Sequence, residues 1–301
     1  RNRKIAAKTE VFTEQQARRV RSFHSSFKEY SPTPLIELTS LAQHLGIKNL
    51  LVKDESYRFG LNAFKVLGGS FAIGSYIANE LGEDIDDLPY MRLVSDEVRS
   101  LLGSKTFITT TDGNHGRGVA WTANRLKQQA IVYMPQGSAA ERLANIRAEG
   151  AQAEITDMNY DDTVRYTSEL AQKNGWIIVQ DTAWDGYTRI PLWIMHGYMT
   201  MALEAYEQLP VKPTHIFLQA GVGSLAGSVQ GFFADIYGSS CPLTFIVEPK
   251  GADCLYQTAA ANDGSLHSVT GRLETIMAGL ACGEPNSIAW EILGNLSDGF
   301  I

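Results

Sequence analysis

Residues 106–118 read TFITTTDGNHGRG and hold the transition that decides the fold. Residues 106–110 are β-branched or aromatic without interruption, which is typical of a strand buried on both faces. A polar turn around Gly113 follows, and beyond Gly118 the apolar residues return at helical spacing. Backbone N–H groups are unpaired where such a turn opens a helix. The segment therefore predicts a strand, a turn able to bind an anion such as a carboxylate, and a helix.

The same alternation of strand and helix runs along most of the chain. It predicts strands at residues 49–53, 106–110, 130–134, 153–156, 177–180, 215–219 and 243–248. It predicts helices at residues 64–81, 114–129, 139–148, 161–173, 191–208 and 224–237. Because strands separated by helices pair in parallel through right-handed crossovers, the sequence predicts an α/β fold of mostly parallel sheets flanked by helices.

The strand and helix units fall into two groups, which predicts two domains. We expect residues 66–183 to form a small domain inserted in a larger one, which is built from residues 1–65 and 184–301. Within the small domain, residues 81–100 are acidic and lack a clear period. They predict an irregular surface insertion.

The composition excludes several classes of protein. The 301 residues carry 26 Lys+Arg and 33 Asp+Glu, a net charge of −7, with 44% hydrophobic and 20% charged residues, as in ordinary globular proteins. The acidic balance argues against a nucleic-acid partner. With no run of about 18 apolar residues, no membrane partner is expected. The six histidines show no metal-ligand spacing, so no metal is expected either.

The cysteines and the chain ends bear on location. Three cysteines are too few for a disulfide framework and predict a reducing, cytoplasmic location. The chain begins at Arg1 without the pattern of a signal peptide and stops at Ile301, and we expect both ends to be incomplete.

A lysine opens one of the predicted helices. Residues 62–70 read NAFKVLGGS, and the residues that follow Lys65 offer it few polar neighbours. Burial and the positive end of the helix dipole would lower the pKa of Lys65, and a neutral amine can form a Schiff base. The alternative, which this stretch alone favours, is an ordinary lysine that extends from the helix end into solvent.

A second strand-to-helix turn is rich in glycine. Residues 219–227 read QAGVGSLAG, and glycines allow the backbone to approach a phosphate at a helix N-terminus. The spacing misses that of the dinucleotide fingerprint, and neither a P-loop nor a G-x-S-x-G elbow is present. In the turn around Gly113, Thr111 and Asn114 would add hydrogen bonds to an anion, although an ordinary N-cap is the alternative.

In this order, the lysine, the Asn-containing turn and the Gly-rich turn resemble the fold type II (tryptophan synthase β-like) family of pyridoxal-phosphate enzymes. Three shorter matches accompany them: Pro32-Thr33-Pro34-Leu35, Lys53-Asp54-Glu55 and Val247-Glu248-Pro249. The resemblance runs from about residue 31 to residue 284. It implies two α/β domains, each a mostly parallel sheet flanked by helices, with pyridoxal 5'-phosphate in the cleft between them, and a homodimer.

The resemblance also implies roles for residues of the three motifs. Lys65 would hold the cofactor as a Schiff base, with Phe64 near the ring and Asn114 on its 3-hydroxyl. The cofactor phosphate would be bound by the N–H groups of Gly221, Val222, Gly223 and Ser224. The amino-acid substrate would be bound by Thr111, Asn114, His115 and Asp181. The residue that pairs the pyridine nitrogen in this family is not evident, and we expect it beyond Ile301.

One departure from the common pattern narrows the activity. Asp112 stands where serine/threonine dehydratases and serine racemase have Ser. Together with residues 180–184, 219–223 and 277–285, this is similar to the diaminopropionate ammonia-lyase family. That resemblance implies α,β-elimination of 2,3-diaminopropionate, D and/or L, to pyruvate and ammonia. Lys65 would take the α-proton from one face and Asp112 from the other. A simple N-cap is the alternative role for Asp112.

Other interpretations stay open at this point. A serine/threonine dehydratase or an amino-acid racemase would share the fold. A nucleotide-binding oxidoreductase would explain only the Gly-rich turn, and a metabolite-binding protein would keep the fold without turnover. Cys254 and Cys282 flank segments expected near the cofactor, so they could pair, although free thiols are the default in a cytoplasmic enzyme.

Overall fold

The structure, a computed structural model, describes residues 9–271, 273 and 275–301. Its α-helices are α1 (Glu14–Ser25), α2 (Thr39–Leu45), α3 (Lys65–Leu81), α4 (Tyr90–Leu93), α5 (Asp96–Leu102), α6 (Asn114–Arg125), α7 (Ala140–Ala148), α8 (Tyr160–Asn174), α9 (Arg189–Gln208), α10 (Ser224–Tyr237), α11 (Cys254–Ala261) and α12 (Ser287–Leu296). Its strands are β1 (Leu35–Glu37), β2 (Leu51–Lys53), β3 (Thr106–Thr110), β4 (Gln129–Met134), β5 (Gln152–Ile155), β6 (Ile177–Ile178), β7 (His215–Gln219), β8 (Leu243–Val247) and β9 (Gly299–Phe300). Within this described part, no helix combines the length and apolar character needed to cross a membrane.

The strands form two parallel sheets and one antiparallel pair. The first sheet has the order β5-β4-β3-β6, with every neighbouring pair parallel. The second has the order β7-β8-β9 and is also parallel. β1 and β2 make the antiparallel pair. Because helices separate the consecutive strands of both parallel sheets, the predicted α/β fold is confirmed.

Most elements lie where the sequence placed them. β3, β7 and α10 have the predicted bounds, and the other predicted strands and helices overlap the observed ones. β1 and β9 were missed, since strands of three and two residues are too short to show a period.

The second parallel sheet departs from the expectation of strands buried on both faces. Phe217 in β7 is 61% exposed, and Leu243 in β8 is 42% exposed. The ring of Phe217 stacks on Phe245 with centroids 5.4 Å apart, so part of one face is lined by aromatic side chains. Apolar residues at exposed positions make a one-sided strand look like a continuous apolar run.

The expectation of an irregular insertion at residues 81–100 is wrong in part. α4 and the start of α5 lie within it, and Leu88, Leu93 and Val98 are buried in the core. Its acidic start does lie at the surface, where Asp84 caps a short 3-10 helix and pairs with Arg19. In the sequence these apolar residues are far apart, and the charged residues between them leave no helical period visible.

α3 packs against α9 on one side and against α6 on the other. A Cβ on Gly197 of α9 would lie 2.3 Å from the carbonyl oxygen of Leu67, and one on Gly118 of α6 would lie 2.8 Å from Cα of Val66. Only glycine lets the helices approach this closely. These contacts fix Lys65, the first residue of α3. They also join α3 to α9, although the sequence predicts these two helices in different domains. The division into two domains therefore stays a prediction.

A buried ionic network fixes the segment before α3. The fully buried Arg58 donates to Glu204 and to Glu55 at 2.7 Å each, and Lys53 approaches Glu204 at 2.8 Å. Burial alone would raise the pKa of Glu204, but its hydrogen bonds to Arg58 and the nearby cations lower the pKa to about 2. Thr33 also donates its N–H to Glu204. Thr33, Lys53 and Glu55, which belong to the Pro-Thr-Pro-Leu and Lys-Asp-Glu segments, therefore take part in a network that connects the chain before α3 to α9.

Candidate active site

A cavity of about 260 Å³ lies beyond the carboxyl ends of β3 and β7, where ligand sites of α/β proteins are expected. Two turns contribute to its wall. The aspartate turn, residues 111–115, joins β3 to α6, and the glycine turn, residues 221–224, joins β7 to α10. Residues 276–280 lie on another side of the cavity. The segments that the sequence singled out as anion sites thus meet at one cavity.

Lys65 lines this cavity from the start of α3. Its Nζ donates to Oδ2 of Asp181 at 2.7 Å, and both side chains are largely buried, with 18% and 8% exposed. Burial lowers the pKa of Lys65, but the Asp181 carboxylate outweighs it and raises the pKa above its usual range. The same pairing overcomes burial to hold the pKa of Asp181 below its usual range. The predicted lowering of the Lys65 pKa is therefore wrong.

The glycine turn offers an anion its backbone N–H groups. Gly223 has φ of +101°, and a Cβ there would lie 3.3 Å from side-chain carbons of Ala289, Leu255 and Leu293. A Cβ on Gly221 would lie 3.1 Å from Sγ of Cys282. The left-handed conformation and the close neighbours require glycine, and the turn leads directly into the N-terminus of α10, where N–H groups are free for an anion.

Asn286 is a site residue that the sequence did not reveal. It is fully buried, and its Nδ2 donates to the hydroxyl of Ser224 at 2.8 Å. That hydroxyl donates to the carbonyl oxygen of Asp181 at 2.6 Å, and the N–H of Asn286 donates to Val222 at 2.7 Å. The only local signal was a capping residue, since its Oδ1 accepts from the N–H groups of Ile288 and Ala289 at the start of α12. Asn286 therefore links the glycine turn to Asp181.

In the aspartate turn, the predicted substrate residues already have protein partners. Oγ1 of Thr111 accepts from the N–H groups of Gly113 and Gly116 at 3.0 and 3.2 Å. Nε2 of His115 donates to the carbonyl oxygen of Val179 at 2.7 Å, and its buried Nδ1 has no hydrogen-bond partner in the described structure. Burial lowers the pKa of His115, so the ring is neutral. Asn114 lines the cavity.

Asp112 is bound by an arginine that the sequence did not point to. Nη1 of Arg142 donates to Oδ2 of Asp112 and to its carbonyl oxygen, both at 3.0 Å. Arg142 lines the cavity from the first turn of α7. The structure does not give Asp112 the local N-cap hydrogen bond that was its alternative role, because α6 starts without a side-chain cap.

The three cysteines are free thiols, so the suggested pairing of Cys254 with Cys282 is absent. Both nevertheless approach the glycine turn. Sγ of Cys254 lies 3.7 Å from the carbonyl oxygen of Gly221, and Sγ of Cys282 lies beside the Cα of the same residue. Burial raises the pKa of Cys282 to about 12, so this cavity-lining thiol is protonated.

This donor set fits pyridoxal 5'-phosphate. A buried amine on Lys65 matches an aldehyde, and the glycine turn, whose space a Cβ would fill, matches a phosphate. The amide of Asn114 lines the space between them, and Phe64 provides an apolar wall. Together with two parallel sheets, these features define a pyridoxal-phosphate enzyme of fold type II.

Comparison with known proteins agrees. A sequence model of the family described as "Pyridoxal-phosphate dependent enzyme" matches residues 27–301. Diaminopropionate ammonia-lyase of Salmonella typhimurium is 53% identical over 286 residues, which cover 94% of this chain and 71% of that protein. The chain belongs to the family of pyridoxal-phosphate dependent enzymes and, at this identity, to its diaminopropionate ammonia-lyase branch.

Solved structures extend this similarity to the fold. Diaminopropionate ammonia-lyase from Escherichia coli in complex with D-serine superposes with a TM-score of 0.90 at 51% identity, covering 96% of this chain and 72% of that one. The same enzyme in complex with an aminoacrylate-PLP azomethine reaction intermediate gives a TM-score of 0.86 at 51% identity, covering 95% of this chain and 71% of that one.

Proposed function

We propose that this chain catalyses the pyridoxal-phosphate-dependent α,β-elimination of 2,3-diaminopropionate to pyruvate and ammonia. The observation that carries this function is the buried pair of Lys65 and Asp181, in a cavity that also receives the glycine turn. The similarity to diaminopropionate ammonia-lyases supports the choice of substrate.

Three groups of the chain would hold the cofactor. The amine of Lys65 would bind it covalently, the N–H groups of the glycine turn would bind its phosphate, and the amide of Asn114 would bind its 3-hydroxyl. Phe64 would flank the ring. Bound in this way, the cofactor supplies an electron sink for negative charge at the substrate Cα.

The charged residues of the cavity would then move protons. With its amine free, Lys65 would be a base on one face of Cα, and Asp112 would be the base on the opposite face for the other enantiomer. Asp181, ionised at 2.7 Å from Lys65, would accept a hydrogen bond from that amine and hold it in place. Thr111, Asn114, His115 and Asp181 would surround the substrate, whose β-amine leaves as ammonia once it is protonated.

Three broader features belong to the same proposal. Residues 66–183 form the small domain and residues 1–65 and 184–301 the large one, with the cofactor in the cleft; cavity-lining residues from both ranges support this. The enzyme acts as a homodimer in the cytoplasm, which the family resemblance and the free thiols support. Light scattering of the purified holoenzyme at several concentrations tests the dimer.

The function is tested by locating the cofactor and measuring turnover. After borohydride reduction, peptide mass spectrometry should find one cofactor on Lys65, and the holoenzyme should release pyruvate from diaminopropionate. Lys65→Ala should lose the reducible visible band and at least ~10³-fold of the turnover, because both the covalent link and one base are removed. Lys173→Ala, an exposed lysine on α8, is the matched control and should keep both.

Two results would overturn this function. Cofactor found on a lysine other than Lys65 would reject the site. A loaded enzyme that turns over serine or threonine far faster than diaminopropionate would be a dehydratase, and one that only interconverts enantiomers would be a racemase.

A further inference from the structure

Arg142 makes a contact with Asp112 that reaches both the side chain and the main chain of that residue. Its Nη1 lies 3.0 Å from Oδ2 and 3.0 Å from the carbonyl oxygen of Asp112. The two residues are 30 positions apart and belong to different strand–helix units, with Arg142 in the first turn of α7. Two acceptors of one residue, held by a single nitrogen, restrict the torsion between the backbone and the carboxylate of Asp112.

The backbone beside Asp112 leaves room for this arginine. A Cβ on Gly113 would lie 3.0 Å from Cδ and 3.4 Å from Nη1 of Arg142. Glycine at this position therefore lets the arginine stem pass against the turn and into the wall of the cavity. The side chain of Arg142 is 41% exposed and that of Asp112 is 32% exposed, so solvent has access to the pair, and Arg142 also lines the cavity.

The arginine occupies only one oxygen of the carboxylate. Oδ2 accepts from Arg142, whereas Oδ1 has no hydrogen-bond partner among residues 9–271, 273 and 275–301. A carboxylate with one oxygen anchored and one free is arranged as a directed proton acceptor, since the anchored oxygen fixes the direction of the free one.

We propose that Arg142 is the positioning residue for Asp112. It fixes the residue by two hydrogen bonds and turns Oδ1 toward the substrate Cα on the face opposite Lys65. This deepens the proposed function, on which it rests, and it predicts a selective role. Only the enantiomer whose α-proton goes to Asp112 depends on Arg142, whereas the enantiomer served by Lys65 does not.

The charged and titratable groups around Asp112 show which cation binds it. Besides Arg142 on α7, the groups that interact with its charge are Lys65 on α3, His115 on α6 and Cys282. His115 is neutral and Cys282 is protonated, so Arg142 is the hydrogen-bonded cation of Asp112.

The test uses the holoenzyme with D- and L-diaminopropionate as separate substrates. Arg142→Met should lower kcat for the D-enantiomer by ~10–50-fold, with at most a ~3-fold loss for the L-enantiomer. KM for the D-enantiomer and the visible cofactor band should stay unchanged, so that the loss falls on kcat alone. Arg142→Lys keeps the charge but not the planar donor geometry, so it should restore only part of kcat.

Two further variants separate positioning from general damage. Arg147→Met removes an exposed arginine of the same helix whose side chain donates to the carbonyl oxygen of Ala153, and it should leave the turnover of both enantiomers unchanged. Arg142→Met combined with Asp112→Asn should lose no more D-turnover than Asp112→Asn alone, because Arg142 acts through Asp112.

Equal losses for both enantiomers, a loss that falls on KM instead of kcat, or additive losses in the double variant would each overturn the role of Arg142. Failure of the proposed function looks different. In that case the unmodified holoenzyme itself, with its cofactor band intact, would release no pyruvate from either enantiomer.

Discussion

The aspartate turn and the glycine turn have the same place in the fold but are built in different ways. Each follows the carboxyl end of a parallel strand and opens a helix at the cavity. In the glycine turn the backbone is shaped by glycine, with φ of +101° at Gly223, and the hydroxyl of Ser224 is used on Asp181. In the aspartate turn, Thr111 accepts hydrogen bonds from two of the N–H groups. In the proposed function, its ionisable side chains transfer protons.

This difference separates two tasks of one active site. A phosphate needs several fixed donors and no proton transfer, which backbone N–H groups at a helix N-terminus provide. A proton-transfer site needs a titratable side chain in a fixed direction, and in the proposed function Asp112, hydrogen-bonded to Arg142, would be that side chain. We therefore expect changes in the aspartate turn to act on turnover and changes in the glycine turn to act on retention of the cofactor.

Among changes within the two turns, the largest effect is expected for Asp112→Asn. The change keeps the shape of the side chain and removes the base, so turnover of D-diaminopropionate should fall by at least ~10²-fold. The L-enantiomer should lose less, because Lys65 still takes its α-proton. Stopped-flow and steady-state pyruvate assays with each enantiomer measure the difference, and cofactor affinity should be unchanged. Small, equal losses for both enantiomers would show that Asp112 in this turn takes no part in proton transfer.

Gly223→Ala tests the glycine turn in the same way. A side chain at φ of +101°, with three carbons 3.3 Å from its Cβ, costs of order 1–3 kcal/mol, which corresponds to ~5–150-fold weaker cofactor binding. Titration of the visible band with cofactor measures the affinity, and kcat at saturating cofactor should change little. Gly238→Ala is the control, since Gly238 also has a positive φ, of +52°, but has open space around it. If kcat falls while affinity is kept, the division of tasks is incorrect.

Asp181 joins the two turns, since its carboxylate binds Lys65 and its carbonyl oxygen accepts from Ser224. It raises the pKa of Lys65 in the protein without cofactor, and the amine must be neutral to attack an aldehyde. In Asp181→Asn the pKa of Lys65 should fall, so the pH at half-maximal rate of cofactor uptake should move down by about one unit or more. Stopped-flow mixing of apoprotein with cofactor measures this rate.

Asp185→Asn, an exposed carboxylate four residues along the chain, is the control for that change. It should leave the pH dependence of cofactor uptake in place. A shift of the Asp181→Asn profile toward higher pH would mean that Asp181 helps the amine to lose its proton, and the ion pair would then have the opposite role.

The sequence was informative where the signal is local. β3, β7 and α10 were placed correctly because continuous apolar runs and glycine-containing turns bound them, and Lys65 was correctly placed at the start of a helix. Arg142 and Asn286 were missed because their partners lie 30 and 105 residues away, with no shared pattern. The sign of the Lys65 pKa shift was missed for the same reason, since Asp181 lies 116 residues further along the chain.

The smallest effect, and the finest test of the comparison, is expected for Ser224→Ala. A serine in a phosphate-binding turn would ordinarily be expected to donate its hydroxyl to the phosphate. Here the hydroxyl donates to Asp181 at 2.6 Å and accepts from Asn286 at 2.8 Å, so the residue offers an anion only its N–H. Ser224→Ala should therefore weaken cofactor binding by less than ~3-fold, while the lost buried hydrogen bond costs about 1 kcal/mol in the free energy of unfolding. Cofactor titration and denaturant unfolding of the same samples measure both quantities. A loss of affinity as large as that of Gly223→Ala would show that the hydroxyl turns to the phosphate when the cofactor binds, and the glycine turn would no longer be a purely backbone site.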